Sequence, residues 1–318
     1  MGETQQPSPA TPRAGSGTVA ILLCTYGRAD FLEEQLSSIR SQTCRDWSLW
    51  VSDDGSSDAA RATLAAFRDA VPGTRLVSGP RLGFRRNFLS LACNPLVEAD
   101  HLAFCDQDDV WHGDKLERGL RALAAVPPDR PALYCSRTTL IDSHGQAIGE
   151  SPLFSRPPSF RNALTQNIAG GNTMVLNRGA RDLLRAARDS VEVPSHDWWT
   201  YVAVTAAGGT VIYDPIPTVS YRQHEANTVG GGTSRTLGHR IAATFSLEQR
   251  RAFDAHRDAL ARIADRIAPE NRRVIETLAR YRAAPFPTYF FHFRRAGLYR
   301  QRPLSDAGLA AAALLRRF

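Results

Sequence analysis

The chain has 318 residues, about two domains by the usual size prior, and its 43% hydrophobic content can build a sizeable core, which excludes disorder for the bulk of it. The longest uninterrupted apolar stretch, Leu309 to Leu315, is far short of the ~20 residues needed to cross a bilayer, and no basic start with an apolar run marks export; a cytoplasmic protein is expected. The net charge of +7 is unevenly placed, −3 over residues 1–234 and +10 over residues 235–318.

Lys115 is the sole lysine among 39 basic residues, which with abundant alanine fits GC-rich codon usage, so arginine content is not read as a functional signal. Cys24, Cys44, Cys93, Cys105 and Cys135 show no C-x-x-C spacing and no accompanying histidine pattern. Reduced, mostly buried thiols are expected, with neither a zinc site nor a redox motif.

Residues 1–17 are polar and rich in Pro, Gly and Ser, the composition of a disordered leader. From Val19 short apolar runs alternate with helical patterns, which predicts βαβ units around a mainly parallel sheet. Val19 to Cys24 reads as a buried strand, followed by a helix capped by Asp30 with Leu32, Leu36 and Ile39 on one face. Trp47 to Ser52 is the second strand, and Asp58 caps the next helix. Arg75 to Ser78 is a third strand, Phe84 to Cys93 a helix, His101 to Cys105 the fourth strand, and Asp114 to Ala125 a helix. Ala132 to Ser136, Thr173 to Leu176, Thr210 to Tyr213 and Thr218 to Tyr221 read as strands, with helices at Arg178 to Arg188 and Asp197 to Ala207. Gly230 to Gly232 marks a hinge, beyond which the chain is helical and basic. Three segments follow: a leader at 1–17, a main domain at 18–232 divided near residue 112, and an extension at 233–318.

In an open α/β sheet, ligands bind beyond the carboxyl ends of the strands. The polar clusters lie there: Cys24 to Arg28 after the first strand, Ser52 to Ser56 after the second, and Asp106-Gln107-Asp108-Asp109 after the fourth. Three carboxylates in four residues repel one another unless a cation or donor groups offset them. Mg²⁺ or Mn²⁺, which take oxygen ligands from carboxylates, water and phosphates, suits that loop; a turn cluster capping backbone N–H groups is the alternative. In Asp53-Asp54-Gly55-Ser56-Ser57-Asp58 ordinary turn and cap chemistry competes with an aspartate that accepts the imide N–H of uracil or thymine.

TVAILLCTYGR, SQTCRDWSLWVSDDGSSD, LGFRRNF and FCDQDDVWHGDKL, in this order, resemble the nucleotide-sugar half of family two glycosyltransferases with the GT-A fold. AGGNTMVLNR, HDWW and VSYRQHEANTVGG are similar to the acceptor half of a bacterial rhamnosyltransferase-like subgroup. The resemblance implies that Thr25, Tyr26 and Arg28 hold the nucleotide, that Asp53 or Asp54 contacts the pyrimidine, and that Gly83, Arg86 and Asn87 close over the nucleoside. It implies that Asp106 and Gln107 lie on the nucleotide-sugar side of a D-x-D motif, that Asp108 binds the metal, and that Asp109 is the usual neighbour of that motif. Asp197 stands at the place of the catalytic base, where an ordinary first-turn helix anion is the competing reading. His196, Trp198, Gly171 and Asn172 fall on the acceptor side, although core packing and a glycine turn explain them too. Arg222 can pair with the diphosphate, and His224 either completes the metal shell or bonds within the loop.

The resemblance therefore implies an inverting, metal-dependent glycosyltransferase using a dTDP- or UDP-sugar, with dTDP-L-rhamnose first, and a glycan or lipid-linked saccharide acceptor in surface polysaccharide synthesis. A Q-x-x-R-W motif is missing from the sequence, which points to single-sugar addition. A sugar-phosphate nucleotidyltransferase shares the layout, but its G-x-G-T-R signature is not found. The basic tail fits either an anionic membrane surface or a helical subdomain packed on the core. Nucleic-acid binding is set aside because no recognised motif accompanies the charge.

Overall fold

The computed structural model describes residues 18–27, 30–224 and 247–316. The leader, Arg28, the 230–232 glycines and the boundary placed at 232 lie outside the described residues.

Among the described residues a sheet of nine strands organises the fold. Its first part is parallel: β1 (Val19–Gly27) lies between β2 (Trp47–Ser56) and β4 (His101–Cys105), with β3 (Thr74–Ser78) outside β2. Its second part follows β4 with β8 (Val175–Asn177), β6 (Ala132–Ile141), β9 (Thr210–Arg222) and β5 (Val110–Trp111), while β7 (Ala147–Glu150) pairs with β6. β6 and β9 are parallel, and the short pairings through β8, β7 and β5 are antiparallel, so most of the paired length is parallel.

β1 is apolar on both faces because helices cover both. Ala20, Leu22 and Cys24 join one core, where α3 (Phe84–Cys93), α6 (Arg178–Ala187) and α7 (His196–Ala206) pack. Val19, Ile21 and Leu23 join the other, under α1 (Leu32–Arg40), α2 (Asp58–Ala70) and α4 (Lys115–Leu123). Each such side chain contributes roughly 1.5–3 kcal/mol by leaving water.

Some local expectations shift. The residue at the N-cap of α1 is Phe31, without a side-chain capping bond, so Asp30 is not the cap. Ser57 caps α2 by accepting the Ala60 N–H at 3.3 Å, and Asp58 becomes a first-turn anion paired with Arg61. The two strands expected at 210–213 and 218–221 are one strand, β9, whose register jumps opposite Ser136 to Thr138. Pro215 and Pro217 sit in that interruption, where no ladder donor is needed. Periodicity also missed α5 (Phe160–Ala163), β5 and β7, each four residues or fewer.

The C-terminal helices are α8 (Leu247–Leu260), α9 (Pro269–Ala283), α10 (Thr288–Ala296) and α11 (Pro303–Leu314). Phe253, Ile263, Leu278, Phe293 and Leu309 are buried in the same cluster as α3 and α7. Most of their arginines are exposed around a shared apolar interior, whereas Arg282 is partly buried and pairs with Asp254. Among the described residues no helix is long and apolar enough to cross a membrane.

Candidate active site

The ends of β1, β2 and β4 converge, as the sequence predicts. Gln107 ties two of them: its Oε1 accepts the Tyr26 N–H at 3.0 Å and its Nε2 donates to the Tyr26 carbonyl at 3.1 Å. Gln107 thus acts as a strand partner for the tip of β1 and leaves the Tyr26 ring exposed. The Thr25 Oγ1 beside it is buried without a hydrogen-bond partner.

The two aspartates after β2 do different things. Asp53 Oδ1 accepts the N–H groups of Gly55 at 3.1 Å and Ser56 at 2.7 Å. Burial alone would raise its pKa, but the Ser56 and Gly55 hydrogen bonds and Arg61 outweigh that and hold it below the usual carboxylate range. Asp54 accepts the N–H groups of Arg81 and Gly83, fixing the loop before α3. A Cβ at Gly79 would stand 2.7 Å from Asp54 Oδ1, so this loop closes only over a glycine. Asn87 is buried and donates to the Ser52 carbonyl at 3.2 Å, while its Oδ1 is unpartnered. Arg86 reaches Glu192 at 3.5 Å. The residues expected to face a nucleoside form one wall, with Asp53 and Asp54 already engaged by backbone donors.

Across from that wall lies a concentration of carboxylates. Asp106 is pushed well above the usual carboxylate range by burial and by the neighbouring charges of Asp109, Asp108 and Asp197. Asp109 is fully buried; it accepts Asn172 Nδ2 at 2.6 Å and the Arg222 N–H at 3.1 Å, and burial followed by Asp108 raises it to about 7. Asp108 Oδ2 lies 2.9 Å from His224 Nε2. Like charges raising one another in a partly dry cleft favour a bound cation. Asp106, Asp108 and the His224 imidazole offer oxygen and nitrogen donors that fit Mg²⁺ or Mn²⁺. Among the described residues no three His, Cys, Asp or Glu side chains are placed to hold one ion together, so a bound ion would need further ligands from water or a substrate.

Asp197 occupies the first turn of α7, after the Ser195 cap. Its Oδ2 accepts from Asn167 Nδ2 at 2.9 Å and from the Gly171 N–H at 3.2 Å, and its Oδ1 accepts the Trp198 N–H at 2.7 Å. Its charge is felt at Asp106, which places the base candidate and the acidic loop in one field. Asn167 was not singled out by the sequence; a lone asparagine between a short helix and a glycine turn carries no pattern.

Several expected acceptor or diphosphate residues have other work. Gly171 and Asn172, in the 3₁₀ turn Gly171–Thr173, hold Asp197 and Asp109. His196 is buried, stacked on Phe88 at 4.0 Å and edge-on to Phe104 at 4.8 Å, and burial draws its pKa down to about 4. It is a neutral packing group, and a Cβ on Gly171 would meet its Nε2 at 2.6 Å. Trp199 is wholly buried; Trp198 is half-buried and donates its indole N–H to the Ala163 carbonyl at 2.7 Å. Arg222, expected to pair with a diphosphate, is engaged within the protein. Its side chain is 1% exposed and bonds Glu34, at 2.5 Å, with the carbonyls of Asp108, Asp142 and Ser143, under the Phe31 ring. The guanidinium fastens the acidic loop to α1 from behind.

His256 on α8 lies against both tryptophans, 4.9 Å from Trp198 and 6.4 Å from Trp199, and burial lowers it to about 3. Between pH 6.5 and these lowered values an unfolded chain binds protons at His196 and His256 that the folded chain refuses, so stability falls as pH drops through that window. The slope is about 1.4 kcal/mol per pH unit for each histidine. His256→Phe, which keeps the aromatic contact, is expected to flatten the decline of urea midpoints between pH 6 and about 4; equal slopes in both proteins would remove His256 as a source.

The sequence matches the model of the glycosyl transferase family 2 over residues 20–179. It is 28% identical over 227 residues, 67% of this chain and 75% of the relative, to the dTDP-rhamnosyl transferase RfbG of Shigella flexneri. It is 32% identical over 101 residues, 31% of this chain and 38% of the relative, to the Escherichia coli UDP-Glc:alpha-D-GlcNAc-diphosphoundecaprenol beta-1,3-glucosyltransferase WfgD. Among solved structures, S. aureus TarS 1-349 in complex with UDP-GlcNAc superposes with a TM-score of 0.53 at 11% identity, covering 94% of this chain and 91% of that one. The mannosyltransferase PcManGT from Pyrobaculum calidifontis, in complex with GDP-Man and Mn2+, gives 0.50 at 17% identity, covering 98% and 90%. With the parallel strands β1 to β4, the acidic loop after β4 and the C-terminal helices in place, the architecture is that of GT-A glycosyltransferases, and the chain belongs to glycosyl transferase family 2.

Proposed function

We propose that this glycosyltransferase inverts configuration at the sugar it moves, taking it from a pyrimidine nucleotide diphosphate to a hydroxyl of a glycan or lipid-linked acceptor in bacterial surface polysaccharide synthesis. dTDP-L-rhamnose is the first donor to test, supported by the similarity to a dTDP-rhamnosyl transferase over two thirds of the chain. The observation that carries the reading is the convergence of Asp106, Asp108, Asp109 and Asp197 beyond the ends of β1, β2 and β4. We place the enzyme in the cytoplasm, at the inner face of the cell membrane.

Asp197 takes the proton of the acceptor hydroxyl as that oxygen bonds to the anomeric carbon; the bond from that carbon to the diphosphate oxygen breaks, and the nucleoside diphosphate leaves with the electron pair. Asn167 and the Gly171 N–H aim the carboxylate without neutralising it. Thr25, Tyr26, Asp53 or Asp54, Gly83 and Asn87 flank the nucleoside, and Gln107 keeps the two strand tips at a fixed distance. Asp108 with His224 would hold a Mg²⁺ or Mn²⁺ ion, which when bound would offset charge at the diphosphate.

Calorimetric titration with dTDP, UDP and GDP, each with and without Mn²⁺, tests this reading. Binding of a pyrimidine diphosphate that needs the ion is the expected result. No binding by any of the three would overturn it.

A further inference from the structure

The C-terminal helices bury one side well and leave the other unlike a solvated surface. In α11 the one charged side chain, Asp306, faces the protein, where it accepts from the Arg300 N–H and pairs with Arg156 at 2.5 Å. The opposite side carries Leu304, 61% exposed, and Leu315 just past the helix end, 58% exposed, eleven residues and three turns apart along one stripe, with Gly308 and Ala311 between them adding no polar side chain. A helix apolar all round is normally covered on both sides.

Next to it α10 buries Tyr289, Phe293 and Ala296 and turns Phe291 outward, 62% exposed, beside the exposed Arg294 and Arg295. The two helices meet at Tyr289: its hydroxyl donates to the Leu314 carbonyl at 2.5 Å, the Arg316 guanidinium lies 4.4 Å from its ring centre, and the exposed Phe286 ring is 6.0 Å away. Both helices thus carry exposed apolar groups, with exposed arginines on them or at their ends. Residues 280–316 hold seven arginines and a single carboxylate, Asp306.

We propose that the outward face of α10 and α11 docks on a membrane surface bearing anionic lipid head groups, with Phe286, Phe291, Leu304 and Leu315 entering the head-group boundary and Arg294, Arg295, Arg302 and Arg316 pairing with phosphates. A second copy of this chain is a poorer occupant, because a twofold interface would set this arginine-rich face against itself. The face is also fixed to the site. The α10–α11 connection is bonded to the segment leading into Asn167: Tyr299 O accepts from Asn162 Nδ2 at 3.1 Å and Thr165 Oγ1 at 2.7 Å, and the Gln301 N–H donates to Gln166 Oε1 at 2.9 Å. Docking therefore sets the height of Asp197 above the bilayer, which deepens the reading of a lipid-linked acceptor and rests on it for that step alone.

Sedimentation of the full chain with vesicles of phosphatidylglycerol mixed with phosphatidylcholine, and of phosphatidylcholine alone, tests the proposal without donor or acceptor. The full chain is expected to bind the anionic vesicles, more weakly in high salt, and the neutral ones little. Leu304→Glu with Leu315→Glu should lower binding at least about tenfold, and Arg294→Gln with Arg295→Gln severalfold on anionic vesicles. Unchanged circular dichroism and Mn²⁺-dependent dTDP titration on the same samples separate loss of docking from misfolding and from failure of the catalytic reading. No binding to anionic vesicles, equal binding by the leucine variant, or a dimer that this variant splits with vesicle binding unchanged would overturn it.

Discussion

Asp197→Asn is expected to bind nucleotide diphosphate like the parent and to lose transfer by about 10²–10⁴-fold in kcat, the usual worth of a positioned general base. The geometry makes this a sharp test. Asp197 accepts three donors, from Asn167, Gly171 and Trp198, and lies in the field of the acidic loop without being bonded to it. An asparagine keeps the volume but presents an NH₂ to one of those donors and has no lone pair basic enough to take a proton. The proposed nucleotide-binding residues lie on the other wall, at the tips of β1 and β2, so under that reading nucleotide affinity should not change. Asn167→Ala should give a smaller loss in kcat with little change in donor KM, because the carboxylate stays but one of the donors aiming it is gone. Turnover retained in Asp197→Asn would remove that residue from the mechanism and leave its three hydrogen bonds as helix-end structure.

The contrast between legible and hidden residues follows from how far each interaction reaches. The tips of β1, β2 and β4 are readable because a parallel strand buried on both faces is a continuous apolar run, and the polar residues at its end stand out against it. The acidic loop is readable for the same reason. Its partners are not. Asn172 and Asp109 are 63 positions apart, Asn167 and Asp197 are 30 apart, and Arg222 and Glu34 are 188 apart. No periodicity encodes such pairs, since they arise only when distant segments meet in the fold, as where the antiparallel β8 brings the Gly171 turn against β4. His196 misleads in the opposite way: beside an aspartate at the head of a helix it looks chemical, yet three phenylalanine rings surround it. The exposed arginines of the tail carry a signal in net charge, but only the packing of Asp306 inward leaves α11 apolar on its outer side.

Arg222→Met tests the other reassignment, and a loss of about 1–3 kcal/mol in unfolding free energy is expected. The replacement fills much of the arginine's volume, so the cost comes from polar groups rather than from a cavity. The Asp108 carbonyl loses its donor, at roughly 1–3 kcal/mol if it stays unsatisfied, whereas the Asp142 carbonyl keeps the Gly145 N–H and the exposed Ser143 carbonyl can turn to water. Glu34 adds less, since its side chain is half exposed and water can take over. Arg222→Lys should recover only part of the loss, because one ammonium cannot reach Glu34 and three carbonyls from a single point. A diphosphate ligand would behave differently: its removal would weaken dTDP binding sharply and leave the urea midpoint where it was, or raise it by relieving a buried charge. The two assignments therefore part on one unfolding curve. A lowered midpoint makes Arg222 the fastening of the acidic loop, and an unchanged midpoint with lost nucleotide affinity returns it to the substrate.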